Sequence, residues 1–177
     1  DEIKLTFDDV LIRPKRSTLI SRSEVHLERS FKFKHTESVW NGVPIISANM
    51  DTTGTFETAI SLQKHKMITA IHKFYTIDDW KKNISELDPN YIAVTVGQSD
   101  DDLELAKNIF NLNNEIKFLC IDVANGYRED FINAVKKYRD TFNEKIIIAG
   151  NVATREMTEA LILAGADIVK IGIGPGS

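Results

Sequence analysis

The chain has 177 residues, 42% of them hydrophobic, and a formal net charge of −4 with both signs scattered along it. Those values suit one folded domain with a sizeable core and argue against a nucleic-acid binder, which would carry a basic face. No apolar run nears the ~20 residues of a membrane span, the polar opening DEIKLTFDDV is no signal peptide, and a single cysteine, Cys120, excludes an internal disulfide or a cysteine-based metal cluster; a cytoplasmic protein is expected.

Taken in chain order, residues 1–42 stand apart. The stretch LIRPKRSTLISRSEVHLERSF is basic, contains Pro14 and has little apolar periodicity. It is expected to be a strap across the bottom or side of the fold, or a reach into a neighbouring subunit. From residue 43 to residue 177 short β-branched runs recur, at Val43–Ala48, Met67–Ile71, Tyr91–Val96, Lys117–Ile121, Lys145–Ala149 and Asp167–Ile171. Each is almost continuously apolar, the pattern of parallel strands covered on both faces.

Helical segments lie between them. TIDDWKKNISEL opens on Thr76 with Asp79 three residues later, close to a capping box. SDDDLELAKNIFNL offers Ser99 as a cap and three aspartates in the first turn, where the helix dipole favours negative charge. TREMTEALILAGAD puts Leu161 and Ile162 on its apolar face and Gly165 where the helix stops.

Strand and helix in alternation predict right-handed βαβ units and a parallel sheet. Six strands complete an open doubly wound sheet but are too few for a (β/α)8 barrel. The strand ends point the other way. All six run into small or polar residues: NMD, HK, GQS, DVANG, GNV and GIGPGS. Function at every strand end belongs to a TIM barrel, whereas a doubly wound sheet gathers it at one switch point. The expectation is a (β/α)8 TIM barrel of which about the first six strands are present, with two more beyond residue 177.

Several of these ends are candidate sites. Glycines at 172, 174 and 176 leave one face of an extended segment bare, so either a ligand can approach or the chain makes a tight exit. Lys73 follows an apolar strand and either anchors a phosphate, partners a carboxylate or is an ordinary exposed lysine. Asp122 is expected to pair with Lys73 across the rim, or else to be a turn residue before Asn125-Gly126. Cys120 is flanked by apolar residues and has no activating base near it in sequence, so it reads as a small hydrophobe rather than a nucleophile. His26, His35 and His65 lack metal-ligand spacing.

The segments LTFDDVLIRPKRS, ISANMDT, IHK, DVANGY, AGNV and GADIVKIGIGPGS together resemble the amino-terminal half of the IMP dehydrogenase/GMP reductase family, from about residue 4 to residue 177. The reductase branch is indicated by DVANGY, by RPKRSTLISRSEV and by IHKFYTIDDW running straight into a helix, where dehydrogenases carry a regulatory insert. The resemblance implies reductive deamination of GMP to IMP and ammonia, with NADPH as hydride donor. It implies supporting catalytic roles for Lys73 and Asp122, and cofactor contacts from Lys73, Asp122, Val123, Ala124, Ile173 and Gly174. Ser21 and Arg22 match a segment that reaches the adenine end of a cofactor on the adjacent subunit of a homotetramer. Asn49 and Met50 match residues beside the purine, Ser177 the start of the phosphate site, and Gly174 and Gly176 carbonyl donors to potassium. The family's nucleophilic cysteine is expected just after Ser177. Two other readings stand beside this one: oxidation of IMP with NAD, and a non-catalytic nucleotide-binding half-barrel.

Overall fold

A computed structural model describes residues 7–173. Strands β1 (Arg29–Lys32) and β2 (Val39–Gly42) form an antiparallel hairpin, with Phe31 opposite Trp40. Six further strands make one sheet: β3 (Ile46–Ser47), β4 (Ile68–Ile71), β5 (Ile92–Val96), β6 (Phe118–Asp122), β7 (Ile146–Val152) and β8 (Ile168–Ile171). All of its neighbouring pairs are parallel, and the spatial order is the chain order, β3-β4-β5-β6-β7-β8. A doubly wound sheet would reverse direction somewhere. This one never does, so it curls as a half-barrel, as the strand ends led one to expect.

Five helices, α1 (Phe56–Leu62), α2 (Ile77–Asn83), α3 (Asp100–Leu112), α4 (Glu129–Thr141) and α5 (Arg155–Ala164), cover a single face. Their buried residues, among them Phe56, Trp80, Leu103, Phe131 and Leu161, pack on Ile71, Val94, Ile121 and Ile147. The alternate strand residues Ala70, Ala93, Cys120 and Ile148 look the other way, with Trp40 of the hairpin among them. Side chains alternate along a strand, so an almost wholly apolar run is what a sheet packed on both sides requires.

Local chemistry sets the helix ends. Thr76 and Asp79 close a reciprocal capping box at α2, and Ser99 and Asp102 close another at α3. Gly165 ends α5 with φ of 115°, a left-handed conformation that glycine adopts without strain. Ile162 departs from its expected place: Leu161 is buried, but Ile162 is 37% exposed on the flank of α5.

The strap resolves into two parts. Residues 10–28 are exposed throughout, with one short turn capped by Ser21 and Glu24. The hairpin instead plugs the end of the half-barrel where the strands begin. Trp40 is 2% exposed, meets Phe118 and Tyr91 edge-on, and donates its indole N–H to Asn90 O at 2.9 Å. At the tip, His35 N donates to Asp167 Oδ1 at 3.1 Å, and Ile147 N donates to Asp167 Oδ2 at 3.0 Å. The same carboxylate pairs with Arg139, whose guanidinium also donates to the carbonyls of Phe142, Asn143, Lys145 and Gly165. That knot ties hairpin, α4, β7 and β8 together, which leaves the opposite end of the sheet open.

Candidate active-site rim

The open end is formed by the carboxyl termini of the parallel strands. Asn49 and Met50 follow β3, His72 and Lys73 follow β4, Gly97 to Ser99 follow β5, Asp122 closes β6, and Gly172 and Ile173 follow β8. Between β4, β5 and β6 lies a cleft of about 330 Å³, lined by Lys73, Gly97, Gln98, Ser99, Asp102, Asp122, Val123, Ala124, Asn125 and Arg128. Four residues singled out from sequence, Lys73, Asp122, Val123 and Ala124, therefore share one wall-to-wall space.

The expected Lys73–Asp122 pair does not form. Asp122 Oδ1 instead accepts from Lys170 Nζ at 2.6 Å, and the same ammonium donates to Asn49 Oδ1 at 2.6 Å. Lys73 lies past the end of β4, exposed on the side nearer α3, and its charge is felt by Asp102. Burial alone would raise the Asp102 carboxyl. Hydrogen bonds from the Ser99 hydroxyl and amide and from the Gly97 amide, with the Lys73 charge, outweigh it and hold Asp102 below its ordinary range. Gly97 is fixed from below as well, since the Tyr138 hydroxyl donates to its carbonyl at 3.2 Å.

Neighbouring loops are cross-tied. Tyr127 Oη accepts from Ala153 N at 2.8 Å, Val123 N donates to Gly150 O at 3.1 Å, and Asn151 Nδ2 donates to Gly172 O at 3.0 Å. Gly172 has φ of 127°, the left-handed region that excludes most side chains. Ile173 stands exposed beyond it. Gly174, Gly176 and Ser177 lie outside the described residues. Ser21 and Arg22 are in the exposed strap and do not line the cleft.

Cys120 sits beneath this rim, fully buried among apolar neighbours. Burial pushes its thiol up to about 11, so it stays protonated and unreactive at neutral pH. His72 is also structural: Nδ1 accepts from Phe74 N, and the ring stacks on Tyr75 at 4.0 Å. Among the described residues there is no cluster of His, Cys, Asp or Glu able to hold a metal ion, and no helix long and apolar enough to cross a membrane.

Sequence reasoning missed Lys170, although it stands in plain view as a charge inside the apolar run DIVKI. It also missed Gln98 and Arg128, for which loop sequence offered no periodic signal.

Strand order and a polar rim at the carboxyl ends define the class: half of a (β/α)8 barrel. The family model described as IMP dehydrogenase / GMP reductase domain matches residues 4–177, and the chain belongs to that family. It is 55% identical over 180 residues to a GMP reductase of Buchnera aphidicola subsp. Acyrthosiphon pisum (strain APS), covering 100% of this chain and 52% of that protein. A GMP reductase of Escherichia coli O81 (strain ED1a) is 54% identical with the same coverage. The crystal structure of inosine 5' monophosphate dehydrogenase from Legionella pneumophila superposes with a TM-score of 0.80 at 32% identity, over 98% of this chain and 52% of that one. The chain thus spans about half the length of the relatives it matches.

Proposed function

We propose that this chain provides the cofactor side of an NADPH-dependent GMP reductase, which converts GMP to IMP and ammonia. The observation that carries the reading is the shared cleft of Lys73, Asp122, Val123 and Ala124 at the strand ends, in a chain about 55% identical to proteins named GMP reductase. The donor set suits a nicotinamide nucleoside. Val123 and Ala124 offer an apolar wall, Lys73 and Arg128 offer cations, and the buried Gln98 Oε1 has no hydrogen-bond partner among the described residues, so it can accept from a carboxamide. When bound, NADPH supplies the hydride.

The chain's own residues hold and orient. Lys73 and Asp122 set the polar edge of the cleft, while Asn49 and Met50 lie beside the purine. Ser177 is assigned to the start of the phosphate site, and Gly174 and Gly176 to the carbonyl donors of potassium, by the family resemblance. Ile173 and Gly174 meet the cofactor from the β8 side. Ser21 and Arg22 reach the adenine end of a cofactor held by a neighbouring copy in a homotetramer. Supporting that last point, Leu11, Ile12 and Ile20 of the strap are each 96% exposed, an apolar surface that a second copy would cover. A cytoplasmic location goes with this chemistry.

Oxidation of IMP with NAD is the second reading, supported by the likeness to the Legionella pneumophila structure at 32% identity. The higher identity to reductases favours reduction. The deciding experiment follows NADPH absorbance with purified protein in potassium buffer, with and without GMP. GMP-dependent oxidation that yields IMP supports the reductase. IMP-dependent reduction of NAD in its place supports the dehydrogenase, and turnover of neither points to a nucleotide-binding half-barrel.

A further inference from the structure

Lys170 breaks the pattern of its strand. Ile168, Val169 and Ile171 around it are apolar, and a lysine three-quarters buried on an apolar strand calls for a partner. Here its ammonium makes two bonds of 2.6 Å, one to Asn49 Oδ1 and one to Asp122 Oδ1. The three residues belong to β8, to the turn after β3 and to β6, so one cation spans both edges and the middle of the sheet.

Register explains the reach. Asp122 is level with Gly150, and Gly150 with Lys170, in a row across β6, β7 and β8. Neighbouring strands lie ~4.8 Å apart, so the lysine stem must cross the middle strand to span roughly 10 Å. Gly150 leaves that crossing open: a Cβ there would stand 2.5 Å from Lys170 Cβ and 2.6 Å from Lys170 O. A lysine with a glycine beside it and a carboxylate beyond it makes a built bridge.

Stability is a poor account of the bridge. The two charged side chains are 25% and 26% exposed, so water still reaches the pair and weakens its attraction. Orientation is the better account. An ammonium only donates, so it fixes which end of the Asn49 amide faces it and leaves Nδ2 as a donor on the other side. It also fixes which carboxylate oxygen of Asp122 is taken, leaving the second for the cleft.

We infer that Lys170 is a positioning residue, which locks Asn49 on the purine side and Asp122 on the cofactor side into one geometry. The inference rests on the proposed reading of the rim as the GMP and NADPH site.

The test compares the unsubstituted chain with Lys170→Met and Lys170→Arg. The first readout is nuclear relaxation of the Asn49 side-chain amide without ligand; the second is NADPH affinity, from the fluorescence of the reduced nicotinamide. Lys170→Met should free the Asn49 amide and weaken NADPH about tenfold, the scale of a lost charge-assisted hydrogen bond. Lys170→Arg should restore both in large part, with all thermal midpoints within about 3 °C. Should Lys170→Met melt early, Lys170→Gln, shorter and uncharged but polar at its end, makes the same comparison, and the Asn49 amide should loosen there too. An Asn49 amide equally ordered in Lys170→Met, or an unchanged NADPH affinity, overturns the inference and leaves the functional reading standing. Failure of the unsubstituted chain to bind NADPH overturns that reading and the inference with it.

Discussion

Asp167→Ala tests the knot that seats the hairpin. The Asp167 side chain is fully buried and its partner Arg139 is 13% exposed. Removing the carboxylate strands the guanidinium charge and leaves the backbone N–H groups of His35 and Ile147 without their acceptor. Breaking a buried pair from one side costs about 3–5 kcal/mol, because the remaining charge stays desolvated. At roughly 2–4 °C per kcal/mol for a chain of this size, the midpoint should fall by roughly 6–20 °C. Urea unfolding followed by far-UV circular dichroism gives the free energy directly. A cycle with Arg139→Ala isolates the pair, and the double variant should lose less than the sum of the two singles. A loss under about 1 kcal/mol for Asp167→Ala, the range of exposed pairs, would show that the knot is solvated and that the aromatic contacts of Trp40 and Phe33 hold the plug instead.

Ser99→Ala should cost about 1 kcal/mol by uncapping α3, and it should raise the Asp102 carboxyl, which carbon-detected NMR titration reads out. Because folding lowers that carboxyl from its ordinary value of 3.8, its contribution to stability is present above that pH and fades as pH falls through the lower folded value. Cys120 should resist Ellman's reagent at pH 8, where a thiol at about 11 is roughly one part in a thousand thiolate; full labelling should need denaturant, and fast labelling of the native chain would refute its burial. Lys73→Ala should weaken NADPH binding about tenfold while moving the thermal midpoint by under about 3 °C, since the side chain is exposed beyond a strand end; the opposite pattern would place Lys73 in the fold rather than the site.

The barrel half was legible because its signals are local. A β-branched run needs only its own residues to declare a strand, and Thr76, Ser99 and Gly165 announce helix ends within one turn of themselves. The hairpin was not, since β1 is exposed at all four positions and β2 buries only Trp40 and Gly42. Its stability comes from Phe118 and Asp167, far along the chain, which no window of sequence contains. The site divides the same way. Strand ends marked Lys73 and Asp122 as rim residues and the family resemblance added Val123 and Ala124; the four line one cleft. Which partner Asp122 takes depends on register across two strands and on the missing side chain of Gly150, and proximity in sequence says nothing of either.

The plug also bears on the order in which the molecule assembles. Each strand pairs with the next one along the chain, so the sheet can grow unit by unit through short loop closures. The hairpin belongs to the first quarter of the chain, yet His35 meets Asp167 across a separation of 132 residues. Closing so long a loop is entropically slow, and this contact forms only once the segment before β8 exists, after Trp40 has already met Tyr91 and Phe118. During synthesis the hairpin therefore emerges before the strands that it plugs, and its tip is fixed last. Until Tyr91 and Phe118 are in place, Phe31, Phe33 and Trp40 remain uncovered, the aromatic face that a chaperone would meet on the unfinished chain.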